Sequence, residues 1–255
     1  MTSTPDSQVD RLTAVDSHTA WMALARPAYQ DLADLFATVG DADWKRPTPC
    51  TGWTVRDLAG HVLGAMRSAA RLRETVSQQR AVARRVKQTG EAEVDALTST
   101  QIERTTALTP ALVVAEMHDL VEAAVRGRSR VPGPLRRRLG FRVHLGEIEE
   151  RWTLDYFLGC ILTRDAWLHR IDLADALGTE PTLTDHDRAI VGDVAAEWAR
   201  RHGQPVRLTL TGSAGGTLDV GERGDEVVLD AIEFCRVVSG RATHDHPLLA
   251  QPVPF

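Results

Sequence analysis

Hydrophobic residues in the first two thirds of the chain recur every three or four positions, a spacing typical of amphipathic helices. On this pattern helices are predicted over residues 17–40, from Thr54 to about Gln78, from Thr109 to about Val125 and from Leu154 to Leu177. The region up to about residue 180 is therefore expected to be all-helical.

Short polar patterns mark several of the predicted helix ends. Thr54 followed by Asp57 resembles a capping box, in which each residue hydrogen-bonds the backbone N–H of the other. Thr109 and Pro110 are typical of a cap and first helical position, and Gly178 of a helix stop.

Two segments of this region are less regular. Residues 80–106 are charged and weakly periodic, which predicts a helix broken near Gly90 and then a loose connection. Residues 127–151 contain a Pro-Gly-Pro cluster and three consecutive arginines, which predict an extended surface excursion.

The pattern changes after residue 180. Thr184 and Asp187 predict a capped helix to about His202, followed by short antiparallel strands at 206–210, 217–220 and 226–230 and a helix at 231–239. The predicted fold class is mainly α, with a helical domain over residues 1–180 and a small α+β domain over residues 181–255.

Composition and charge exclude several classes of protein. With 255 residues, 43% hydrophobic content and a formal charge of −5, the chain can bury a large core but has no basic surface for nucleic acid. It has no uninterrupted apolar run long enough for a membrane span and no signal-peptide pattern, so a cytoplasmic location without membrane attachment is expected.

Three cysteines stand apart without any CxxC pairing, which argues against disulfides or a structural zinc module. Cys160 and Cys235 have apolar neighbours and are predicted to be small core residues. Cys50 lies in a loop and is a candidate reactive thiol.

One set of residues suggests a metal site. Asp165 and His169 stand four residues apart on a predicted helix, so they project side by side, and His61 on an earlier helix could complete a three-ligand site. Leu158, Leu162, Asp165, His169, Asp172 and Ala176 fall on one strip of the later helix. Burying an unpaired carboxylate costs several kcal/mol, so a cation, an arginine or a water cluster must compensate it.

Two alternatives remain open at this point. The polar residues on the strip could form a purely structural hydrogen-bonded network. His118 and Glu122 also stand four apart on a helix, but no third candidate ligand accompanies them.

Three stretches resemble the mycothiol-dependent maleylpyruvate isomerase family, which belongs to the DinB-like superfamily of metal-binding four-helix bundles. They are PTPCTGWTVRDLAGHVLG (Pro47 to Gly64), TRDAWLHRIDLADALG (Thr163 to Gly178) and EFCRVVSGR with a terminal VPF. The resemblance covers almost the whole chain, with gaps at about 79–108 and 126–150. It implies a DinB-like bundle followed by a smaller α+β domain, the arrangement that the helix pattern also predicts.

The resemblance assigns roles to individual residues. It implies that His61, Asp165 and His169 hold the metal, although the isomerase itself is expected to have glutamate where this chain has Asp165. Arg241 matches an arginine that is expected to face the substrate. Its planar guanidinium would suit a substrate carboxylate.

Three further residues have two interpretations each. Asp172 could orient a ligand imidazole or form a salt bridge to Arg170. Trp53 and Trp167 are more often core than site residues.

The function implied is a thiol transferase or isomerase in which a divalent cation, zinc first and nickel second, activates mycothiol for attack on a small electrophile. Mycothiol also implies an actinobacterial source. The alternatives are a non-catalytic metal-binding or regulatory bundle and a metal-dependent hydrolase. The second substrate and the oligomeric state stay open.

Overall fold

The structure is a computed structural model that describes residues 11–145 and 148–255. The helices are α1 (His18–Ala37), α2 (Val55–Ala70), α3 (Leu72–Thr89), α4 (Glu93–Glu103), α5 (Pro110–Ser129), α6 (Gly133–Arg138), α7 (Leu154–Tyr156), α8 (Leu162–Leu177), α9 (Asp185–His202) and α10 (Ala231–Val238). The strands are β1 (Gly140–Leu145), β2 (Ile148–Thr153), β3 (Val206–Thr211), β4 (Gly216–Val220) and β5 (Asp225–Asp230).

The described residues form two compact units. The first contains residues 18–181 and Phe255, and the second contains residues 11–17 and 182–254. Helices α1 to α8 and the β1–β2 hairpin belong to the first unit, and the remaining helices and strands to the second.

Four helices form the bundle of the first unit. Helices α1 and α2 each pack against both α5 and α8. Large apolar side chains from all four helices fill the centre, among them Leu32, Leu58, Met117 and Trp167, each no more than 1% exposed. Burying one such side chain contributes about 1.5–3 kcal/mol, so this core is the main source of stability.

The prediction of one helix from Thr54 to Gln78 is wrong. The chain is extended at Arg71, where α2 ends and α3 folds back along it. A straight helix would place Gly64 and Gln78 roughly 21 Å apart. Instead the side-chain amide of Gln78 donates to the carbonyl oxygen of Gly64 over 2.9 Å, a contact that requires the reversal.

The segment after α3 is more regular than predicted. Gly90 ends α3 with φ of 74°, so the predicted break is confirmed. A loose connection was expected after it, but residues 93–103 form α4, which packs on α2 and α3. Its hydrophobic pattern is weak because its buried face includes Thr100 and Gln101, polar residues that a periodicity analysis does not score.

The described residues between 127 and 151 lie mostly at the surface, as expected, but they form regular structure instead of an extended excursion, and they include strands in a region expected to be all-helical. Helix α5 continues to Ser129, and α6 and an antiparallel β1–β2 hairpin follow. In the hairpin Phe141 pairs with Trp152, and the two rings contact each other edge to face.

A π-helical turn over Phe157–Ile161 leads into α8. The guanidinium of Arg128, which is fully buried, donates to the carbonyl oxygens of Leu158 and Gly159 and to the hydroxyl of Thr163. The wider turn leaves backbone groups without regular helical partners, and Arg128 satisfies two of them. It thereby fixes where α8 begins.

The second unit has a three-stranded sheet in the order β4-β3-β5, with α9 and α10 packed on its strands. Strand β3 pairs antiparallel with β4 but parallel with β5, so the expectation of antiparallel strands holds only in part. The link from β4 to β5 passes so close to Pro205 that a Cβ at Gly224 would lie 2.2 Å from the Pro205 carbonyl carbon. Glycine there lets the chain cross to the other edge of β3.

Predicted helix caps are confirmed in both units. Capping boxes are present at Thr54 with Asp57 and at Thr184 with Asp187, and the Thr109 hydroxyl accepts from the N–H of Leu112. Among the described helices, none combines the length and the apolar character that a membrane crossing requires.

The first testable prediction concerns Arg128. Replacing it in Arg128→Met should lower the free energy of unfolding by about 3 kcal/mol, because two buried carbonyl oxygens lose their donors. The matched control is Arg126→Met, an exposed arginine on the same helix, which should change stability by about 0.5 kcal/mol or less. Urea denaturation followed by circular dichroism measures both. Equal effects would show that the buried guanidinium does not secure the π-helical turn.

Candidate metal centre

The first candidate ligand, His61, is set by the start of α2. Thr54 caps the helix, with its N–H 2.9 Å from the Asp57 carboxylate and its hydroxyl 3.2 Å from the Asp57 N–H. His61 follows two turns later and is 7% exposed. Its imidazole therefore projects from a helix whose origin is fixed by local sequence.

Helix α8 supplies the other two candidate ligands. Asp165 and His169 are one helical turn apart, and the carboxylate Oδ1 lies 3.3 Å from His169 Nε2. Asp172 stands on the same face almost one turn further on, with its Oδ2 2.9 Å from His169 Nδ1. One face of α8 thus carries an acid, an imidazole and a second acid in contact.

The structure brings His61, Asp165 and His169 together. Asp165 Oδ1 lies 3.6 Å from His61 Nε2, and the two imidazole rings meet nearly edge to face with centroids 5.0 Å apart. The shorter aspartate therefore reaches both imidazoles directly, although glutamate was expected in the isomerase itself.

The spacing of these donors can be compared with that of an ion site and that of a hydrogen-bonded network. Charged hydrogen bonds measure about 2.7–2.9 Å. Donors bound at about 2.0–2.2 Å around a tetrahedral zinc ion lie roughly 3.3–3.6 Å apart. The two distances from Asp165, 3.3 and 3.6 Å, match the second range. The donor set therefore fits a divalent ion.

The other nitrogen of each imidazole has a buried partner. His61 Nδ1 lies 2.8 Å from Gln101 Oε1, and His169 Nδ1 lies 2.9 Å from Asp172 Oδ2. Such partners hold the ring and leave Nε2 available as a ligand. The contact between Asp172 and His169 supports the first of the two interpretations of Asp172, that it orients a ligand imidazole.

These contacts shift the pKa values of Asp165 and His169 on α8. Burial acts to raise the pKa of Asp165, but the neighbouring imidazoles of His169 and His61 outweigh it and hold that pKa well below its usual range. Burial acts to lower the pKa of His169, but Asp165, Asp172 and Cys50 raise it well above its ordinary value. Both shifts favour a carboxylate at Asp165 and an imidazolium at His169 in the metal-free protein.

The loop before α2 covers the candidate ligands. Cys50 donates its S–H to Asp172 Oδ2 over 3.4 Å, and the Trp53 ring lies 5.2 Å from the His61 ring and 6.2 Å from the His169 ring. Trp167 is buried in the core as expected, whereas Trp53 is only partly buried and lines the metal centre.

Donor atoms of Cys50, His169 and Asp172 also cluster within 4.8 Å. However, the 2.9 Å between His169 Nδ1 and Asp172 Oδ2 is a hydrogen-bond length, shorter than the spacing of two ligands around one zinc ion. We therefore interpret Asp172 and Cys50 as support for His169.

The remaining candidates lie elsewhere. His118 Nε2 contacts Asp34 Oδ1 over 2.8 Å and belongs to none of the clusters of three potential ligands found among the described residues. Cys160 and Cys235 are buried, as predicted. Arg241 belongs to the second unit, in the turn after α10, and its role toward a substrate stays a prediction.

Gln101 was missed by the sequence analysis. It lies on α4, where a loose connection was expected, and a single glutamine in a charged segment gives no signal of a metal centre.

Comparisons with known proteins support the fold. A family model described as the mycothiol maleylpyruvate isomerase N-terminal domain matches residues 25–174, a span that includes all three candidate ligands but not Arg241. No curated protein matches the chain.

Two solved structures are similar over 94% of this chain and 98% of theirs. One is a crystal structure of the mycothiol-dependent maleylpyruvate isomerase, with 17% sequence identity and a TM-score of 0.54. The other is a histidine-to-alanine mutant under the same enzyme name, with 18% identity and a TM-score of 0.56. They confirm the expected fold, a helical bundle with a smaller α+β part.

The second prediction follows from the charge state of His169. Zinc binding at neutral pH should release about one proton per ion, because the imidazolium of His169 must give up its proton to act as a ligand. Affinity should therefore fall as pH decreases. Titration calorimetry in two buffers of different ionisation enthalpy measures the proton count. Equal enthalpies in both buffers, meaning no released proton, would contradict the ion pair described here.

Proposed function

Because the chain belongs to the mycothiol maleylpyruvate isomerase N-terminal domain family, we propose that it is a metal-dependent enzyme that uses mycothiol as cosubstrate. Its reaction would be isomerisation of a small electrophile or addition of the thiol to it. The observation that supports this best is the ion-sized spacing of His61, Asp165 and His169.

These three residues would hold the ion, with zinc first and nickel second among the candidates. A divalent cation held by two imidazoles and one carboxylate keeps coordination positions open, and it lowers the pKa of a thiol brought to one of them. Gln101 and Asp172 hold the two imidazoles by their Nδ1 atoms. The partly buried ring of Trp53 lies beside both imidazole rings.

The family name suggests maleylpyruvate, a cis alkene conjugated to a carbonyl group, as the first substrate to test. The thiolate sulfur forms a bond to one alkene carbon while the electron pair moves to the conjugated carbonyl oxygen. Rotation about the new single bond, return of the electron pair and cleavage of the C–S bond give the trans isomer and regenerate the thiolate. Protonation of the carbon before that cleavage gives a stable thiol conjugate instead.

Arg241 is proposed to bind a substrate carboxylate. Guanidinium pairs with carboxylate through two parallel hydrogen bonds, a geometry that a lysine or a neutral residue does not reproduce. This role rests on the resemblance in the Glu233–Arg241 stretch.

The third prediction is that the protein binds one zinc ion per chain. Elemental analysis of protein purified without a chelating tag should find the ion in the wild type and in His118→Ala, and none in the His61→Ala, His169→Ala double variant. His118 is the matched control, since it is a partly exposed histidine of the same unit that pairs with a carboxylate. Retention of zinc by the double variant, or its absence from folded wild-type protein, would overturn the metal centre.

The fourth prediction concerns the reaction. Zinc-loaded protein should convert maleylpyruvate only when mycothiol is present, and Arg241→Met should raise KM for the substrate while still binding zinc. Mass spectrometry separates the outcomes, because isomerisation leaves the mass unchanged and conjugation adds the mass of the thiol.

Two results would refute this function. Turnover without any thiol would favour a hydrolase in which the ion activates water. Zinc binding without any response to mycothiol, in turnover or in thermal stability, would favour a non-catalytic metal-binding bundle.

A further inference from the structure

Two buried glutamines connect His61 to α3 and to the backbone of its own helix. Gln101 on α4 is 3% exposed and Gln78 on α3 is 1% exposed. His61 contacts Gln101, and Gln101 in turn contacts Gln78. Amides buried this deeply must use their donors and acceptors fully, so their partners determine how each one is oriented.

The orientation of the Gln78 amide follows from its two partners, which can accept hydrogen bonds but cannot donate them. Its side-chain nitrogen lies 2.9 Å from the carbonyl oxygen of Gly64 and 3.2 Å from a carboxylate oxygen of Glu74. A backbone carbonyl only accepts hydrogen bonds, so the Gln78 atom facing it must be the NH2 group. The amide oxygen of Gln78 therefore points toward Gln101.

The orientation of Gln78 determines that of the Gln101 amide, which in turn determines which nitrogen of His61 carries hydrogen. Gln101 must present its NH2 group to the Gln78 oxygen, 3.1 Å away, and so its own oxygen faces His61 Nδ1 at 2.8 Å. An amide oxygen cannot donate, and His61 Nδ1 must therefore carry the hydrogen. In a neutral imidazole this leaves the lone pair on Nε2, the atom that faces Asp165.

The packing of α4 on α2 makes this contact possible. A Cβ on Gly64 would lie 2.5 Å from the Cβ of Gln101, so a larger residue would push Gln101 away from His61. The carbonyl of the same glycine is the group that orients Gln78. Gly64 thus provides both the space for the glutamines and the start of their orientation.

We propose that Gln78 and Gln101 are positioning residues, a relay that fixes His61 in the tautomer with hydrogen on Nδ1 and a free Nε2. This proposal rests on the proposed metal centre for its purpose, but the tautomer itself is a property of the metal-free protein. It also explains why His61 has a neutral partner. Asp165 and Asp172 already bring two carboxylates to the centre, and an amide holds the second imidazole without adding a third.

The fifth prediction is a loss of zinc affinity in relay variants. Gln101→Leu should weaken zinc binding by about 10–100-fold, the usual effect of removing a partner that orients a ligand. Gln78→Leu should also weaken it, although Gln78 does not touch His61, because Gln101 is then free to turn its NH2 group toward the imidazole. Competition with a chromogenic chelator measures both affinities.

The double variant distinguishes a relay from two separate packing defects. If Gln78 acts through Gln101, the double variant should lose no more affinity than Gln101→Leu alone. The matched control is Thr100→Val, a near-isosteric change at a buried polar residue of the same helix whose hydroxyl bonds only within α4. It should keep wild-type affinity. Additive losses, or wild-type affinity in Gln101→Leu, would overturn the proposal.

The tautomer of His61 can also be measured directly in the wild-type protein, so this test does not depend on the folding of a variant. In metal-free protein labelled with ¹⁵N-histidine, at a pH high enough to keep the imidazoles neutral, His61 should show a protonated Nδ1 and an unprotonated Nε2. The opposite tautomer, or an even mixture, would overturn the relay. A protein that binds no zinc yet shows the expected tautomer would refute the metal centre and leave the relay standing.

Discussion

The proposed metal centre depends on α2 and α8 lying side by side in the bundle, so that an imidazole of one faces a carboxylate and an imidazole of the other. The separations of 3.3 and 3.6 Å around Asp165 are too long for good charged hydrogen bonds and suit ligands that share one ion. Small rotations of either helix would destroy this spacing. The core around Leu58 and Trp167 therefore supports the proposed site as well as the stability of the bundle. The hydrogen bonds of Arg128 to the turn before α8 do the same.

The buried imidazoles of His61 and His169 are tolerable because each has a hydrogen-bonding partner. Asp172 supports His169 with a charge, while Gln101 supports His61 without one. Two carboxylates, Asp165 and Asp172, together with one divalent cation sum to zero charge, which reduces the cost of burying the centre. A third carboxylate in place of Gln101 would leave an excess negative charge in the interior.

The sequence predicted what is encoded locally. The caps at Thr54, Thr109 and Thr184 depend on residues three or fewer positions apart, and the pairing of Asp165 with His169 depends on one helical turn. The caps and this pair can be found from short patterns along the chain. His61 was a candidate third ligand on a separate helix, and the resemblance supported its assignment.

Features set by tertiary contacts could not be predicted in this way. The contact between Gln78 and Gly64 requires the chain reversal at Arg71, and the link that leads to the parallel pairing of β3 with β5 passes close to Pro205 at a glycine. Gln101 could not be recognised from the sequence for the same reason, since it contacts His61 only when α4 packs against α2. Such contacts join residues that no periodicity connects.

The most direct test is a crystal structure of zinc-loaded protein with anomalous data collected on both sides of the zinc absorption edge. We predict one strong anomalous peak, bound by Nε2 of His61, Nε2 of His169 and a carboxylate oxygen of Asp165, each at about 2.0–2.2 Å. A peak at other residues, or coordination through the Nδ1 atoms that Gln101 and Asp172 now hold, would contradict the account.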